Sequence, residues 1–397
     1  MGVNIDTINV GMLWHSPNSA NLGVGALTIG NMELVQRAAA KAGFTPRFDL
    51  IGFADPGKPH YVEGPDVAVT LLNAKAMLPG GALGKSLARC DIVLDIGGGD
   101  SFTDIYGTKR LVYMMASKFA VLARRIPLVL SPQTIGPFTG AVSRRAAGLA
   151  MKNAAATFAR DPKSFDAARD LSPTAKLAQT VDVAFAMPFE ALDHGPGTHV
   201  GINVSGLLFN GGYTGRNEFG MDVDYPVFTR RLIEALLERD CIVHLVPHVL
   251  SDAVPQDDDR TAIAKLVEEY PSARSAPEFE SPVAAKSFIA GLDLLVGGRM
   301  HACIAAYSTG GAVVPVAYSR KFSGLFEGTL DYPYLIPVKG MSTDQALAYT
   351  LDCLGKREEL AAAAKASQTK TADLLQVYTD ALAELFSRAM NGHGAKR

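Results

Sequence analysis

The chain has 397 residues and a formal net charge of -2 at pH 7, and 48% of its residues are hydrophobic against 20% charged. This length predicts two domains with sizeable cores, and the composition excludes a disordered protein. Because proteins that bind nucleic acid usually carry a basic excess, the balanced charge argues against that class.

The N-terminal residues lack the basic and apolar pattern of a signal peptide, and no uninterrupted apolar run approaches 18 residues. We therefore expect neither a leader nor a membrane-spanning helix. The four cysteines are far apart in sequence and form no CxxC pair, which indicates reduced core thiols in a cytoplasmic protein without a structural zinc site. They are Cys90, Cys241, Cys303 and Cys353.

The first half of the chain alternates apolar runs with stretches of helical periodicity. Short, continuous apolar runs that end in glycine or proline are typical of buried parallel strands. The strands are predicted at 7–15, 44–53, 90–100, 126–138 and 156–161, and the helices at 26–42, 108–125, 143–154 and 162–171.

The second half repeats this alternation after the turn-rich stretch 187–198, which predicts a domain boundary. We expect an N-terminal domain over 1–190 and a C-terminal domain over 198–370. The strands are predicted at 199–206, 241–249, 294–299 and 312–319, and the helices at 225–240, 261–270, 283–293, 300–310 and within 343–389.

Two successive strand–helix series predict an α/β protein with two Rossmann-like domains and parallel sheets. Ligands of such sheets bind outside the carboxyl ends of the strands, so we expect the active site in the interdomain cleft. The spacing of the glycines matches neither the dinucleotide fingerprint nor a P-loop.

Two glycine-containing segments follow predicted strands of the first domain. Gly98, Gly99 and Asp100 end the strand at 90–100, where backbone N–H groups could meet an anion or the glycines could simply form a tight turn. Asn21 and Gly23 lie after the first strand, where they could approach a ligand or only begin a helix.

Two polar residues end later strands of the same domain. Gln133 could donate to a sugar hydroxyl, or it could be a polar turn residue. Arg160 could hold a carboxylate or phosphate through paired hydrogen bonds, with a structural salt bridge as the alternative. Asp161 and Pro162 predict the N-cap and first residue of the helix that follows.

The most informative stretch is Gly298-Arg299-Met300-His301, where a strand gives way at once to a helix. A helix N-terminus favours anions, and an arginine and a histidine beside it add positive charge and a proton donor. Packing of the histidine is the alternative interpretation.

Other polar residues lie nearby in the same domain. Ser319 and Lys321 follow the last strand and could line the same pocket, although a solvated surface is the alternative for Lys321. His248 is predicted to reach the cleft and His244 to lie in the core. The acidic run 257–259 is predicted to be a solvated turn or a helix start rather than a metal site.

Taken in order, several segments resemble the polysaccharide pyruvyltransferase family. They span residues 11–326 and read NLGVGAL, DIGGGDSFTD, SPQTIGPF, ARDPKS, DVAF, GINVSG, HLVPHV, GGRMHACIAAYSTG and PVAYSRKFSG. The resemblance implies a GT-B-like arrangement in which the helix at 371–397 crosses back to the first domain. It also implies transfer of a pyruvyl group from phosphoenolpyruvate to two sugar hydroxyls, without a metal or other cofactor.

The same resemblance implies that Arg160, Arg299 and His301 contact the donor. Arg160 and Arg299 would clamp its anionic groups, and His301 would act as general acid or stabilise the departing phosphate. The chain departs from the family pattern at Val24, where many members have Asp, so the acceptor or even the reaction could differ.

Two other functions fit the residues. A nucleotide-sugar-dependent glycosyltransferase would hold a diphosphate at the same helix N-terminus, and a non-catalytic protein would bind a sugar or an anion there. For the pyruvyltransferase, the acceptor could be a sugar, a nucleotide sugar or a lipid-linked precursor of a cell envelope glycan. A lipid-linked acceptor would require peripheral contact with a membrane. A homo-oligomer is compatible with the sequence.

Overall fold

The computed structural model describes residues 6–394, with side chains described up to residue 391. The described chain forms two compact units. Unit 1 holds residues 6–19, 27–187 and 371–394, and unit 2 holds residues 20–26 and 188–370.

Unit 1 contains a seven-stranded parallel sheet in the order β3-β2-β1-β4-β5-β6-β7. The central strands are buried on both faces, as their continuous apolar sequences predict. The strands are β1 (Asp6–Leu13), β2 (Phe44–Gly52), β3 (Val67–Leu71), β4 (Ile92–Asp95), β5 (Leu128–Gln133), β6 (Ala156–Ala159) and β7 (Leu177–Gln179). Helix α1 (Leu22–Ala42) belongs to this unit from residue 27 onward. The other helices of this part are α2 (Ala82–Leu87), α3 (Thr108–Ala123), α4 (Ala141–Asn153) and α5 (Pro162–Leu171).

Unit 2 contains a six-stranded parallel sheet in the order β10-β9-β8-β11-β12-β13. The central pair β8 and β11 is fully buried. The strands are β8 (His199–Asn203), β9 (Ile242–Leu245), β10 (Arg274–Ser275), β11 (Leu294–Gly297), β12 (Val313–Ala317) and β13 (Ile336–Pro337). The helices are α6 (Gly206–Phe209), α7 (Tyr225–Leu237), α8 (Asp259–Glu269), α9 (Pro282–Ala290), α10 (Met300–Ser308), α11 (Arg320–Phe322), α12 (Thr343–Gly355) and α13 (Arg357–Ala366).

The last helix, α14 (Gln368–Gly394), belongs to unit 1 from residue 371 onward. Within that unit the ring of Tyr378 packs edge-on against Phe158 on β6, with ring centroids 4.8 Å apart. The Thr180 hydroxyl donates to the backbone oxygen of Leu374 at 2.8 Å. The C-terminal helix is therefore part of the core of unit 1.

Helix α1 begins at Leu22, four residues before the start that the periodicity predicts. The cause is local, because the backbone oxygen of Asn21 accepts from Val24 and Gly25, and its side-chain oxygen accepts from the N–H of Gly23. Asn21 is thus the N-cap of this helix. The N-cap predicted at Asp161 is also present, with the Asp161 carboxylate accepting from the N–H of Ser164.

Candidate functional site

In unit 2 the carboxyl end of β11 leads directly into helix α10. A Cβ atom on Gly298 would lie 2.7 Å from the Tyr225 hydroxyl, so packing requires glycine at this position. The N–H of Gly298 donates to the backbone oxygen of Asn203 at 3.1 Å, and the N–H of Arg299 donates to the side-chain oxygen of Asn203 at 2.8 Å. These bonds fix the entry of the chain into α10 beside the end of β8.

Arg299 is the N-cap residue of α10, and its side chain makes no capping hydrogen bond. The N–H groups of a first helical turn have no partner inside the helix, and the helix dipole adds partial positive charge there. The N-terminus of α10 therefore favours an anion, as the sequence predicts.

The guanidinium of Arg299 is buried between two carboxylates. Nη1 lies 2.6 Å from Asp257, Nη2 lies 2.6 Å from Asp259, and Nη2 also donates to the backbone oxygen of Asp257. The side chain predicted to clamp an anion thus has its charge compensated inside the protein. Its contacts connect the N-terminus of α10 to the start of α8.

Asp259 is fully buried and joins three loops at the carboxyl end of the sheet. One carboxylate oxygen accepts from Arg299 and from the N–H of Gly206, and the other accepts from the N–H groups of His248 and Val249. Burial raises the pKa of Asp259, while Arg299 and the backbone donors oppose this effect.

The sequence predicted a solvated turn or a helix start at 257–259, and the helix start is confirmed, but Asp259 is buried rather than solvated. The sequence does not show that donors from four residues converge on this carboxylate. Asp258 is the N-cap of α8, the second interpretation that the sequence left open.

His301 lies in the first turn of α10 and is half-buried. It packs tightly against the segment 20–26 of the same unit, since a Cβ atom on Gly23 would lie 2.5 Å from Nδ1 of His301. The N–H of Leu22 donates to the backbone oxygen of His248 at 3.1 Å. The structure therefore brings together Asn21, Gly23 and His301, which are some 280 positions apart in sequence.

His248 is buried next to this group. Burial, and then the positive charges of His301 and Arg299, lower the pKa of His248 to about 3. Its imidazole is therefore neutral near neutral pH and can offer a hydrogen bond but no charge.

Ser319 and Lys321 lie just after β12, the neighbour of β11 in the sheet, and both are half-buried. Ser319 precedes the short helix α11 without capping it through its side chain. Tyr318 beside them packs edge-on against Phe219, with ring centroids 4.8 Å apart. Both residues predicted to line the pocket thus lie on the same edge of the sheet as Gly298.

In unit 1 the glycines 97–99 form a tight turn after β4. All three have positive φ, between 54° and 87°. The N–H of Gly97 donates to the Asp95 carboxylate at 2.8 Å, and the N–H of Gly99 donates to the backbone oxygen of Ile96. These two N–H groups are already used within the turn, which favours the turn interpretation over direct binding of an anion by them.

Asp100 follows this turn and is half-buried, and its carboxylate accepts from the Tyr106 hydroxyl at 2.7 Å. The turn itself rests on a buried ion pair that sequence reasoning missed, in which Nζ of Lys118 lies 2.8 Å from the Asp95 carboxylate. Lys118 also lies 4.5 Å from the centre of the Phe102 ring. The sequence does not indicate this pair, because Lys118 lies 23 positions after Asp95 and on a different element.

Gln133 is fully buried, and its amide donates to the backbone oxygens of Asp95 and Ser131. A Cβ atom on Gly97 would lie 2.3 Å from its Oε1. Within unit 1, Gln133 therefore ties the ends of β4 and β5 together.

Arg160 is buried at the end of β6 and belongs to the same group of loops. Its Nη1 lies 2.6 Å from the Asp182 carboxylate, and its Nε donates to the Thr134 hydroxyl at 3.0 Å. Asp182 also accepts from the N–H of Ala184. The salt bridge that the sequence left as an alternative is present.

The comparisons with known proteins agree with this architecture. The family model described as polysaccharide pyruvyl transferase matches residues 21–320. No curated protein shows significant similarity to the chain. Among residues 6–394, no helix is both long and apolar enough to cross a membrane.

Three solved structures show the fold. A trehalose 6-phosphate synthase from Burkholderia multivorans has a TM-score of 0.55 at 10% identity, covering 99% of each chain. A UDP-N-acetylglucosamine 2-epimerase, described as putative, from Listeria monocytogenes has a TM-score of 0.52 at 14% identity, covering 98% of each chain. The Anabaena protein HepE, solved with UDP and glucose, has a TM-score of 0.52 at 12% identity, covering 98% of this chain and 100% of that one.

These structures share the GT-B-like class of α/β fold with two Rossmann-like parallel sheets, and the family match covers most of the chain. The chain is a transferase that belongs to the polysaccharide pyruvyl transferase family.

Proposed function

We propose that the protein transfers a pyruvyl group from phosphoenolpyruvate to hydroxyls of a sugar in a cell envelope polysaccharide precursor. The observation that carries this proposal is the placement of His301 in the first turn of α10, against Gly23, in a chain of the pyruvyl transferase family. A proton donor beside a helix N-terminus suits a substrate that carries both a carboxylate and a phosphate.

The reaction begins with transfer of a proton to C3 of phosphoenolpyruvate, which becomes a methyl group and leaves C2 electrophilic. The oxygen of one sugar hydroxyl bonds to C2 and loses its proton. The bond between C2 and the phosphate oxygen then breaks, and phosphate leaves with its electron pair. The oxygen of a second hydroxyl bonds to C2 and closes the ketal, and its proton is taken up by the released phosphate. His301 is the proposed proton donor to C3 or to the departing phosphate.

Arg299 and Arg160 also have roles in this proposal. Arg299 and Arg160 are both buried and paired with carboxylates, so their guanidinium groups are held in fixed positions. A fixed guanidinium loses little conformational freedom when it binds an anion. We propose that Arg299 holds the start of α10 in place, and that Arg160 is a separate anion contact in unit 1.

The first experiment measures release of phosphate from phosphoenolpyruvate with a panel of sugars and nucleotide sugars as acceptors, and detects the ketal methyl group by NMR. We expect acceptor-dependent release that falls about 10²-fold or more in His301→Gln, the usual scale for a lost general acid. His60→Gln is the matched control, because His60 is exposed in unit 1. Equal rates in wild type and His301→Gln would remove His301 from the chemistry.

A glycosyltransferase is the second candidate, because the Anabaena neighbour was solved with UDP and glucose. It predicts binding of UDP and no reaction with phosphoenolpyruvate. A non-catalytic sugar- or anion-binding protein would bind ligand without releasing phosphate.

Val24, half-buried in the first turn of α1, is the position at which the chain departs from many family members. The acceptor screen should therefore include the variant Val24→Asp.

A further inference from the structure

Three imidazole rings cluster at the other end of the sheet of unit 2. His199 is the first residue of β8, His244 lies on the neighbouring strand β9, and His194 lies in the segment that leads into β8. One ligand nitrogen from each ring can be chosen so that all three lie within 4.8 Å of one another. The ring centroids are 5.0–5.3 Å apart.

The hydrogen bond of His194 determines which of its nitrogens could bind a metal. Nε2 of His194 lies 2.9 Å from the backbone oxygen of Phe288, and a carbonyl oxygen only accepts. Nε2 therefore carries the proton, and Nδ1 keeps its lone pair. Metal-binding histidines usually donate their second ring N–H to a carbonyl or carboxylate in this way.

The other two rings face each other through nitrogens. Nδ1 of His199 lies 2.9 Å from Nε2 of His244. Two nitrogens on one tetrahedral zinc ion lie about 3.3 Å apart, given zinc–nitrogen bonds of about 2.0–2.1 Å. A separation of 2.9 Å therefore reaches this value after a shift of a few tenths of an ångström.

Coordination by both nitrogens would require the shared proton to move to the opposite nitrogen of one ring. Nε2 of His199 is buried and has no hydrogen-bond partner within the described part of the chain. The proton can therefore move to this nitrogen without breaking another hydrogen bond of the described residues. Three imidazoles with one nitrogen each within 4.8 Å of the others match the donor set of a three-histidine zinc site.

We infer that His194, His199 and His244 bind one divalent transition-metal ion, with zinc as the best match, and leave a fourth position for solvent. The segment 188–198 is held on α9 by hydrogen bonds from the N–H groups of Glu190 and Leu192 to Ser287. A metal ion would fasten this segment to β8 and β9 as well. The site lies at the start of β8, whereas Arg299 contacts the end of that strand at Asn203, so the inference is independent of the proposed reaction.

The test is titration of the metal-stripped, full-length protein with zinc and, separately, with cobalt as a spectroscopic probe. We expect one equivalent of zinc per chain and visible absorption bands of tetrahedral cobalt. In His194→Ala the affinity for zinc should fall at least about tenfold. Even the loss of a residue that only supports a metal ligand usually lowers the affinity by this factor. His194 is half-buried in an irregular segment, so this variant should keep its fold by circular dichroism.

His60→Ala is the control for histidine loss, and His244→Asn is a second variant that tests the buried side of the site. Loss of binding in both cluster variants, with binding unchanged in His60→Ala, supports the inference. Absence of stoichiometric zinc in the wild type, or equal affinity in wild type and His194→Ala, would overturn it.

Discussion

At the scale of single residues, the candidate site depends on how closely one backbone approaches one imidazole. Gly23 and His301 pack so tightly that the smallest side chain at position 23 would meet Nδ1 of the histidine. The sequence predicted that both residues belong to the site, from a glycine loop and from a helix start. It could not show that they pack together, because they lie on α1 and α10, which are far apart in the sequence.

Gly23→Ala should therefore impair catalysis while the fold is kept. The added Cβ forces the ring of His301 to move, and a displacement of about 1 Å in a catalytic group can cost about 10²-fold in rate. We expect kcat for phosphate release to fall by at least about tenfold. Gly355→Ala is the matched control, since a Cβ atom there meets nothing within 4 Å. Unchanged kcat in Gly23→Ala would contradict the proposed role of this contact.

At the scale of elements, buried polar groups hold the loops at the carboxyl ends of the strands. Asp259 connects α6, α8 and the entry into α10 in unit 2. Tyr378 on α14 connects to α1 and β5 in unit 1, since its hydroxyl lies 3.0 Å from Asn31 and 2.9 Å from Ser131. The sequence does not reveal these hydrogen-bond partners, because Asp259 lies in an acidic run and Tyr378 is a single tyrosine within a helix.

Asp259→Asn should lower the free energy of unfolding by about 3 kcal/mol, the usual cost of leaving one partner of a buried ion pair uncompensated. Urea denaturation followed by circular dichroism measures this change. Asp352→Asn removes an acid from an exposed pair with Lys356 and should change stability by less than about 1 kcal/mol. Equal effects of the two substitutions would mean that Asp259 does not hold these loops.

Tyr378→Phe should lower the free energy of unfolding by about 1–3 kcal/mol, because the side chains of Asn31 and Ser131 lose a buried partner. The aromatic contact with Phe158 is kept, so the variant measures the contribution of the hydroxyl alone. The same denaturation measurement applies. A variant as stable as the wild type would show that the hydroxyl does not anchor α14.

At the scale of the whole molecule, the sequence predicts the two parallel sheets because their central strands are continuous apolar runs. It missed β3 and β7, whose residues are only partly buried at the edges of the first sheet, so the apolar signal is weak. It also missed helix α2, which has only six residues. The sequence predicted site residues where glycine, arginine and histidine follow strands. It did not predict the ion-pair partners of Arg160 and Arg299, because Asp182 and Asp259 lie on other elements.

Buried histidines make the stability of the molecule depend on pH. Burial lowers the pKa of both His15 and His248 from 6.5 to about 3. Below pH 6.5 the unfolded chain takes up protons at these residues and the folded chain does not, so stability falls as the pH drops toward 3. Each histidine should contribute a loss of roughly 2 kcal/mol between pH 7 and pH 5.

His15→Gln should flatten this dependence by about that amount, whatever its effect on stability at pH 7. Urea denaturation at pH 7, 6 and 5 gives the slope for the variant and the wild type. His60→Gln, at an exposed position, should leave the slope unchanged. A slope in His15→Gln equal to that of the wild type would mean that His15 is not buried in its neutral form.

Calorimetric binding of phosphoenolpyruvate and of UDP to the wild-type protein and to His301→Ala tests the proposed donor most directly. We expect that phosphoenolpyruvate binds the wild type, that its affinity falls at least about tenfold in His301→Ala, and that UDP does not bind. Binding of UDP with no binding of phosphoenolpyruvate would contradict the proposed donor and favour glycosyl transfer at the same helix N-terminus.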